Sequence, residues 1–205
     1  VLMFFNWGIE ARKWQILMAP LERFSLIRAF KSVLAGCSIT MLTPNRIGEY
    51  GGRIMYVQEQ NRIRAISLAI LGSISQLTIT MLMGSFGLWV IKSGSALNMS
   101  AFNSVPWLLS NTLFFTSLLI CVFLLLFYFR VHLIINTISG IKFLQKLTRY
   151  ISVLDFFSCK QLLRILFLSF FRYMIFILQY MLLLKVMGVE LDYTVLFLLL
   201  TIFYL

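Results

Sequence analysis

The sequence predicts an all-α fold, that of a polytopic helical integral membrane protein, and three observations support this class. The 205 residues are 60% hydrophobic and 12% charged, whereas soluble domains carry about 25% charged residues. Several apolar runs exceed the roughly 18–20 residues that a helix needs to cross a bilayer. The basic residues collect between these runs, which is typical of the cytoplasmic loops of membrane proteins.

The N-terminal part is predicted to leave the membrane and then follow its surface. Val1–Ile9 is predicted to be the exit end of a span. Glu10–Lys31 is predicted to be a basic loop, in which Trp14–Met18 and Phe24–Phe30 form helices at the level of the lipid headgroups. Apolar positions alternate with charges in these stretches, as they do in amphipathic interfacial helices.

Three longer apolar runs are predicted to span the bilayer because each exceeds the required length, and a further span begins near the end of the chain: Ile66–Ile91, Trp107–Phe129, Ile165–Met187 and Thr194–Leu205. Lys92–Pro106 has a single basic residue and is predicted to be external. Arg130–Arg164 is strongly basic and is predicted to be cytoplasmic. Apolar residues recur there at spacings of three and four between Ile141 and Ile151, which indicates a second surface helix.

The net charge of +11 would indicate nucleic-acid binding in a soluble protein, but basic residues also collect in the cytoplasmic loops of membrane proteins. No basic face alternates with exposed aromatic residues, so we expect no nucleic-acid partner. Most of the 18 basic residues fall in the segments assigned to the inside of the membrane. We therefore expect a multi-pass protein of the cell (inner) membrane with cytoplasmic basic loops.

The stretch from Ser32 to Arg53 does not fit a simple span. Ser32–Leu42 is apolar for only 11 residues, or roughly 16 Å of helix, which is about half of a hydrocarbon core. Pro44 follows and disfavours helix at Thr43, and three nearby glycines let the backbone turn sharply or approach a ligand. Basic residues flank the stretch on both sides. We predict a re-entrant or broken helix near residues 32–53.

The same stretch carries charges suited to a lipid headgroup. Arg46 and Arg53 are able to grip phosphate, and Glu49 can pair with an amine or with an arginine. Glu49 and Arg53 are four residues apart, so they lie on one face if a helix resumes here. Backbone N–H groups freed by glycines such as Gly48 can join them.

Two features inside the predicted spans complete the candidate site. Ser73, Gln76, Thr80, Gly84 and Gly87 form one small and polar face of their helix, which indicates either close helix packing or a wall of a substrate groove. Arg172 lies within a span, where a charge costs at least about 2.5 kcal/mol. It is predicted to face the protein interior near Gln179, or else to extend towards the headgroups. The predicted substrate-binding residues are Pro44, Arg46, Gly48, Glu49, Arg53, Gln76 and Arg172.

Other chemistries have little support in the sequence. His132 is the single histidine, and the three cysteines show no CxxC spacing, so we expect no metal site. Glu49 and Glu59 are ten positions apart and do not form a close carboxylate pair. We therefore expect no cofactor and no enzymatic activity.

At Thr43–Arg53 the sequence resembles the transmembrane domain family of lysylphosphatidylglycerol synthases, which is also called flippase-like. Thr43, Pro44, Gly48 and Glu49 match the family's Thr-Pro-Gly-Gly-x-Gly-Glu signature. Asn6 and Arg12-Lys13-Trp14 resemble an upstream block of the family, and Ser73–Gln76 fits its next helix.

The resemblance implies one flippase-like transmembrane domain over residues 1–205, handling membrane lipid. Both ends of the chain lie inside apolar runs, so we expect a fragment of a longer domain. In the synthases this domain moves aminoacylated phospholipid between leaflets, whereas a separate soluble domain makes the ester.

The leading hypothesis for the function is a flippase-like protein for an anionic or zwitterionic phospholipid or lipid-linked headgroup. The alternatives are a membrane enzyme or transferase acting on a lipid-linked substrate, and a structural membrane subunit. The sequence leaves a homo-oligomer open.

Overall fold

The structure, a computed structural model, describes residues 2–43, 47–93, 107–130, 152–188 and 193–203. These residues form α-helices and two short 3-10 helices, at Glu59–Asn61 and Ser152–Phe156, and no strand. The α-helices are α1 (Leu2–Met18), α2 (Leu26–Thr40), α3 (Ile47–Ile54), α4 (Arg62–Lys92), α5 (Trp107–Phe129), α6 (Cys159–Val186) and α7 (Tyr193–Phe203). The all-α class is therefore confirmed.

Within the described residues, three helical stretches are long and apolar enough to cross a membrane: Glu59–Ile91, Asn111–Phe129 and Cys159–Val186. They contain most of each predicted span, and the shorter apolar helix α7 lies where the fourth was expected. The predicted helix Trp107–Phe129 has the same bounds as α5. The predicted helix from Ile165 begins earlier, at Cys159, and ends at Val186.

The chain forms two compact units. The first contains residues 1–76 and 127–172, and the second contains residues 77–126 and 173–205. In the first unit, α1, α2, α4 and α6 contribute buried residues to one core, with Trp14, Leu17, Leu68 and Ile165 fully buried. In the second unit, Gly87 of α4 packs so closely on α7 that an added Cβ would lie 2.5 Å from Thr201 Oγ1. At that position the small face of α4 serves close helix packing.

The prediction that Glu10–Lys31 is a surface loop was wrong except for residues 19–25, which connect α1 and α2. α1 continues without a break to Met18, and Glu10, Lys13 and Trp14 are buried rather than exposed. The charges that indicated a loop are tolerated inside because they are paired, as buried charges must be. The predicted surface helix at Phe24–Phe30 is instead the first part of α2.

α2 begins at Leu26, two residues after the start predicted for the surface helix, and also includes most of the apolar stretch Ser32–Leu42. The Ser25 side chain caps its N-terminus by accepting a hydrogen bond from Arg28 N at 3.2 Å, which satisfies one of the free N–H groups of the first turn. The helix then runs through Ala29 and Val33, which are buried, and ends at Thr40. The chain resumes as α3 at Ile47, so the predicted broken helix is present.

Two other expected segments lie outside the described residues. They are most of the external loop Lys92–Pro106 and the second surface helix between Ile141 and Ile151.

Candidate functional site

Helices α2 and α3 approach each other at a pair of glycines. A Cβ added to Gly52 would lie 2.6 Å from Gly36 Cα and Gly36 N, and one added to Gly36 would lie 3.0 Å from Glu49 O. Real Cβ atoms do not come within 3.0 Å of backbone atoms, so Gly52 cannot be replaced without moving a helix. Ser32 Oγ donates to Arg53 O at 3.0 Å. These contacts fix the position of α3 and of its charged side chains.

The start of α3 is held by a contact within the Thr-Pro-x-x-x-Gly-Glu stretch. Thr43 Oγ1 accepts a hydrogen bond from Gly48 N at 2.9 Å and donates to Ile39 O at 3.0 Å. A Cβ on Gly48 would lie 2.3 Å from Thr43 Oγ1. Gly48 is therefore needed for close packing. Of the two uses expected for the glycines, a sharp turn or a close approach, the structure shows no turn at Gly48, Gly51 and Gly52, because all three lie inside α3.

Glu10 of α1 lies at the centre of five charged side chains, called here the Glu10 cluster: Glu10, Lys13, Glu49, Arg53 and Arg172. Arg53 Nη2 lies 2.8 Å from Glu10 Oε1 and 2.5 Å from Glu49 Oε1. Glu10 Oε2 lies 2.9 Å from Lys13 Nζ and 2.6 Å from Arg172 Nη1. One carboxylate therefore joins side chains of α1, α3 and α6.

The cluster has a buried centre and two more accessible members. The side chains of Glu10, Lys13 and Arg53 are 4%, 1% and 5% exposed, whereas those of Glu49 and Arg172 are 26% and 30% exposed. Arg172 also donates through Nε to Asn6 Oδ1 at 2.9 Å. A ligand arriving from outside the cluster would meet Glu49 and Arg172 first.

The cluster has more positive than negative charge. Three cations and two carboxylates leave one positive charge in excess when all are ionised. Two buried N–H donors, Nε of Arg53 in the cluster and Nε1 of Trp14 next to it, have no acceptor among the described residues. The Arg53 guanidinium carbon lies 5.4 Å from the centre of the Trp14 ring, so the two side chains that carry these donors lie next to each other. A buried donor without an acceptor costs about 1–3 kcal/mol.

Lys13 is the most deeply buried charge of the cluster. Its Nζ donates to Gly72 O at 3.3 Å and to Ser169 Oγ at 3.4 Å, and Ser169 and Ser75 share a hydrogen bond of 2.8 Å. Burial lowers the pKa of Lys13 to about 8. The attraction of Glu10 opposes this effect, and the positive charges of Arg172 and Arg53 add to it.

The pKa of Glu10 is also lowered, but by its neighbours and against the effect of burial. Burial alone would raise the pKa of this carboxyl, but the three neighbouring cations, with Arg172 first among them, together hold it well below its usual value of 4.5. Glu10 is therefore ionised throughout the physiological pH range. It acts as a fixed anion that holds three cations together.

The family model of the lysylphosphatidylglycerol synthase TM region matches residues 1–205, which is the whole chain. The chain belongs to this family. No curated protein and no solved structure matches it. The resemblance carried by the Thr43–Glu49 stretch is thus confirmed, and the chain is a membrane protein of the lysylphosphatidylglycerol synthase TM family.

The structure brings together some of the residues predicted for the site in this TM-family chain. Glu49, Arg53 and Arg172 belong to the Glu10 cluster, and the predicted pairing of Glu49 with Arg53 is confirmed. The partners of Arg172 differ from those expected. They are Asn6 and Glu10 of α1.

The other predicted residues are placed differently. Gly48 packs against Thr43, as described above, and Gln76 is half-buried on α4 outside the ion pairs. Pro44 and Arg46 lie outside the described residues. Among the residues that the structure describes, no group of three or more His, Cys, Asp or Glu side chains is placed to hold a metal ion.

Sequence reasoning missed the centre of the site. Glu10 and Lys13 were assigned to a surface loop, although they lie three positions apart between the apolar stretches at residues 1–5 and 16–19. A Glu and a Lys at this spacing occupy one face of a helix. That spacing, next to an apolar run able to continue as a helix, was the available signal.

Proposed function

We propose that this chain binds the headgroup of an anionic or zwitterionic phospholipid, or of a lipid-linked substrate, in the Glu10 cluster and moves it between leaflets. The observation that carries the proposal is the excess positive charge of a buried cluster. Membership of a family named for a lipid synthase adds support. The proposed setting is the cell membrane, with the basic loops on the cytoplasmic side.

The charge of the cluster matches a phosphodiester. One phosphodiester carries one negative charge, which equals the excess positive charge of the five side chains. Its oxygens are good acceptors for guanidinium groups, which bind phosphate in a fixed two-donor geometry. Arg53 Nε and Trp14 Nε1 are donors without an acceptor in the part of the protein that the structure describes, and a phosphate oxygen is suited to serve as one.

The accessible members of the cluster suggest how a headgroup is oriented. Arg172 and Glu49 carry opposite charges, and both are partly exposed. Arg172 would contact a phosphate, and Glu49 would contact an amine when the headgroup carries one. Opposite charges in a poorly solvated place interact more strongly than in bulk water, so a zwitterionic headgroup gains at both ends.

Binding and movement fit the cluster better than catalysis. General acid catalysis needs a carboxyl that holds a proton near the working pH, whereas the neighbouring cations keep Glu10 ionised. Both carboxylates of the cluster are paired with Arg53. We therefore propose a protein without enzymatic activity of its own.

The proposal is tested with purified protein in vesicles that contain a fluorescent phospholipid. Chemical quenching of the outer leaflet reports how fast lipid crosses the bilayer. Glu49→Gln removes one charge at constant size, and Arg53→Gln removes one charge and shortens the side chain. Both variants are expected to lose lipid movement. Arg64→Gln removes an exposed charge outside the cluster and is the matched control, expected to behave as the unmodified protein.

Folding must be measured on the same samples, because Arg53 is buried. Glu49 is more exposed, so Glu49→Gln is expected to keep the thermal stability of the unmodified protein to within about 1 kcal/mol. A well-folded Glu49→Gln protein that moves lipid at the unmodified rate would contradict the proposal.

A further inference from the structure

We propose, on the basis of the headgroup site above, that binding of an anionic lipid in the Glu10 cluster is coupled to protonation of Lys13, so that a neutral Lys13 takes up one proton for each phosphate bound. Where Lys13 is neutral before binding, the lipid would then enter the site together with a proton. This coupling follows from the groups that surround Lys13 and from the charge of the cluster as a whole.

The Lys13 side chain is buried, with 1% of its surface exposed. Its Nζ contacts one carboxylate oxygen, one backbone carbonyl and one hydroxyl. Charged and polar groups from four helices surround Lys13 and the side chains that it contacts. They are Glu10 from α1, Glu49 and Arg53 from α3, Gly72 O and Ser75 from α4, and Ser169 and Arg172 from α6. Lys13 is therefore held among charges of both signs with little water to screen them.

Lys13 is the cation of the cluster that can lose its charge. Arginine side chains keep their proton at all ordinary pH values, so Arg53 and Arg172 are permanent cations. Glu10 is held ionised by its neighbours. The pKa of Lys13 is lowered to about 8 by burial. With Lys13 protonated the cluster has one excess positive charge, and with Lys13 neutral it has none.

A bound phosphodiester changes which state of Lys13 is favourable. Next to a protonated Lys13, the lipid brings the total charge to zero. Next to a neutral Lys13, it leaves one uncompensated negative charge in a buried place, which is strongly unfavourable. The anion therefore raises the proton affinity of Lys13, and by linkage the proton raises the affinity for the anion by the same factor.

The step is balanced without any further reactant. The Lys13 amine, one proton from solvent and the phosphodiester anion give the Lys13 ammonium paired with the phosphodiester. One N–H bond forms, no bond of the lipid breaks, and nothing is oxidised or reduced.

Calorimetric titration measures this coupling directly. Short-chain phosphatidylglycerol, whose phosphodiester keeps one negative charge over this range, is titrated into the chain in uncharged detergent. Titrations run from about pH 6 to about pH 10, each in two buffers that differ in ionisation enthalpy. The difference in heat gives the number of protons taken up. We expect almost none at low pH, a rise towards one per lipid above pH 8, and affinity that falls up to tenfold per pH unit there.

Variants of Lys13 separate the coupling from the site. Lys13→Arg keeps a permanent charge, so its affinity should not depend on pH and no proton should be taken up. Lys13→Gln removes the charge and should bind weakly at every pH without proton uptake. Lys31→Arg changes an exposed lysine and should behave as the unmodified protein. If the larger Lys13→Arg side chain prevents folding, Lys13→Gln and the unmodified protein still decide the question.

The outcomes distinguish failure of the coupling from failure of the headgroup site. Equal affinity at every pH with no proton uptake overturns the coupling and leaves the site intact. An absence of binding at every pH contradicts both. The deacylated headgroup, glycerophosphoglycerol, is titrated in parallel. Proton uptake with this compound supports the coupling and shows that phosphate alone is recognised, whereas uptake only with the lipid supports the coupling and shows that the acyl chains are required.

Discussion

Arg53 Nη2 lies 2.8 Å from Glu10 Oε1, although the two residues are 43 positions apart in the chain. This contact joins α3, whose position is set by the glycine pair with α2, to the buried face of α1. The same carboxylate also holds Lys13 and Arg172. A glycine contact between two helices is thereby connected to the charges that we propose for headgroup binding.

Glu10→Gln should destabilise the protein more than any change at an exposed carboxylate. The substitution removes the anion shared by three cations and leaves buried charges without their partner. Breaking a buried ion pair in this way costs about 3–5 kcal/mol. The difference in stability is measured by unfolding the purified protein in mixtures of a mild detergent and a denaturing detergent. Glu59→Gln, at a side chain that is 87% exposed, is the control and should change stability by less than about 1 kcal/mol. Equal small effects from both substitutions would contradict the central role of Glu10.

Gly52→Ala should be harmful, whereas Gly51→Ala should not. A Cβ at Gly52 would lie 2.6 Å from Gly36 Cα, whereas one at Gly51 would have no atom of the described residues within 4 Å. We expect Gly52→Ala to cost about 1–3 kcal/mol through overpacking and to displace Arg53. Gly51→Ala should stabilise α3 by up to about 1 kcal/mol, because alanine favours helix. Thermal unfolding and lipid movement of the two variants, measured side by side, check this difference. Similar behaviour of the two would contradict the observed helix contact.

Stability should rise with pH in alkaline solution because of Lys13. Its folded-state pKa is about 8 and its unfolded-state pKa is about 10.4, so between these values the unfolded chain binds more protons. Stability therefore increases with pH across this window, by on the order of 3 kcal/mol in total. Lys13→Met should lack the increase, and the difference between the two stability curves isolates it from other lysines. Parallel curves from about pH 7 to about pH 10.5 would contradict the buried charge at Lys13.

The hairpin of α2 and α3 should enter and leave the membrane on one side. Its apolar part is short, and basic residues flank it on both sides. In a variant without the native Cys37, Cys121 and Cys159, single cysteines are placed at Lys31 and at Arg62. A membrane-impermeant thiol reagent should label both from the same side of sealed vesicles. Labelling of the two from opposite sides would mean that the segment crosses the bilayer.

The sequence was sufficient to predict the helices that depend on long apolar runs. Trp107–Phe129 was predicted with its observed bounds because a run of this length has few alternatives. The pair of Glu49 and Arg53 was also predicted, since a spacing of four residues places side chains on one face of a helix. These features depend on local spacing, and local spacing is readable from one sequence.

Features that depend on pairing across the chain were not predictable in the same way. Charges at Glu10 and Lys13 normally indicate exposure, and only their contacts with Arg53 and Arg172 make burial acceptable. Gly36 carries no local sign that it will meet Gly52. The partner of Arg172 was sought near Gln179, whereas it lies on α1, 162 positions away. Such contacts belong to the tertiary structure and have no periodicity of their own.

Photochemical crosslinking tests most directly whether a lipid headgroup binds in the Glu10 cluster. Phosphatidylglycerol carrying a photoreactive diazirine in its headgroup is activated in vesicles that contain the chain, and the modified peptides are identified by mass spectrometry. We predict that labelling concentrates on α1 and α3 near Glu10 and Arg53, and that unlabelled phosphatidylglycerol and Arg53→Gln both reduce it. Labelling confined to exposed apolar positions such as Phe123 of α5, unchanged by competitor and by Arg53→Gln, would contradict the proposed site.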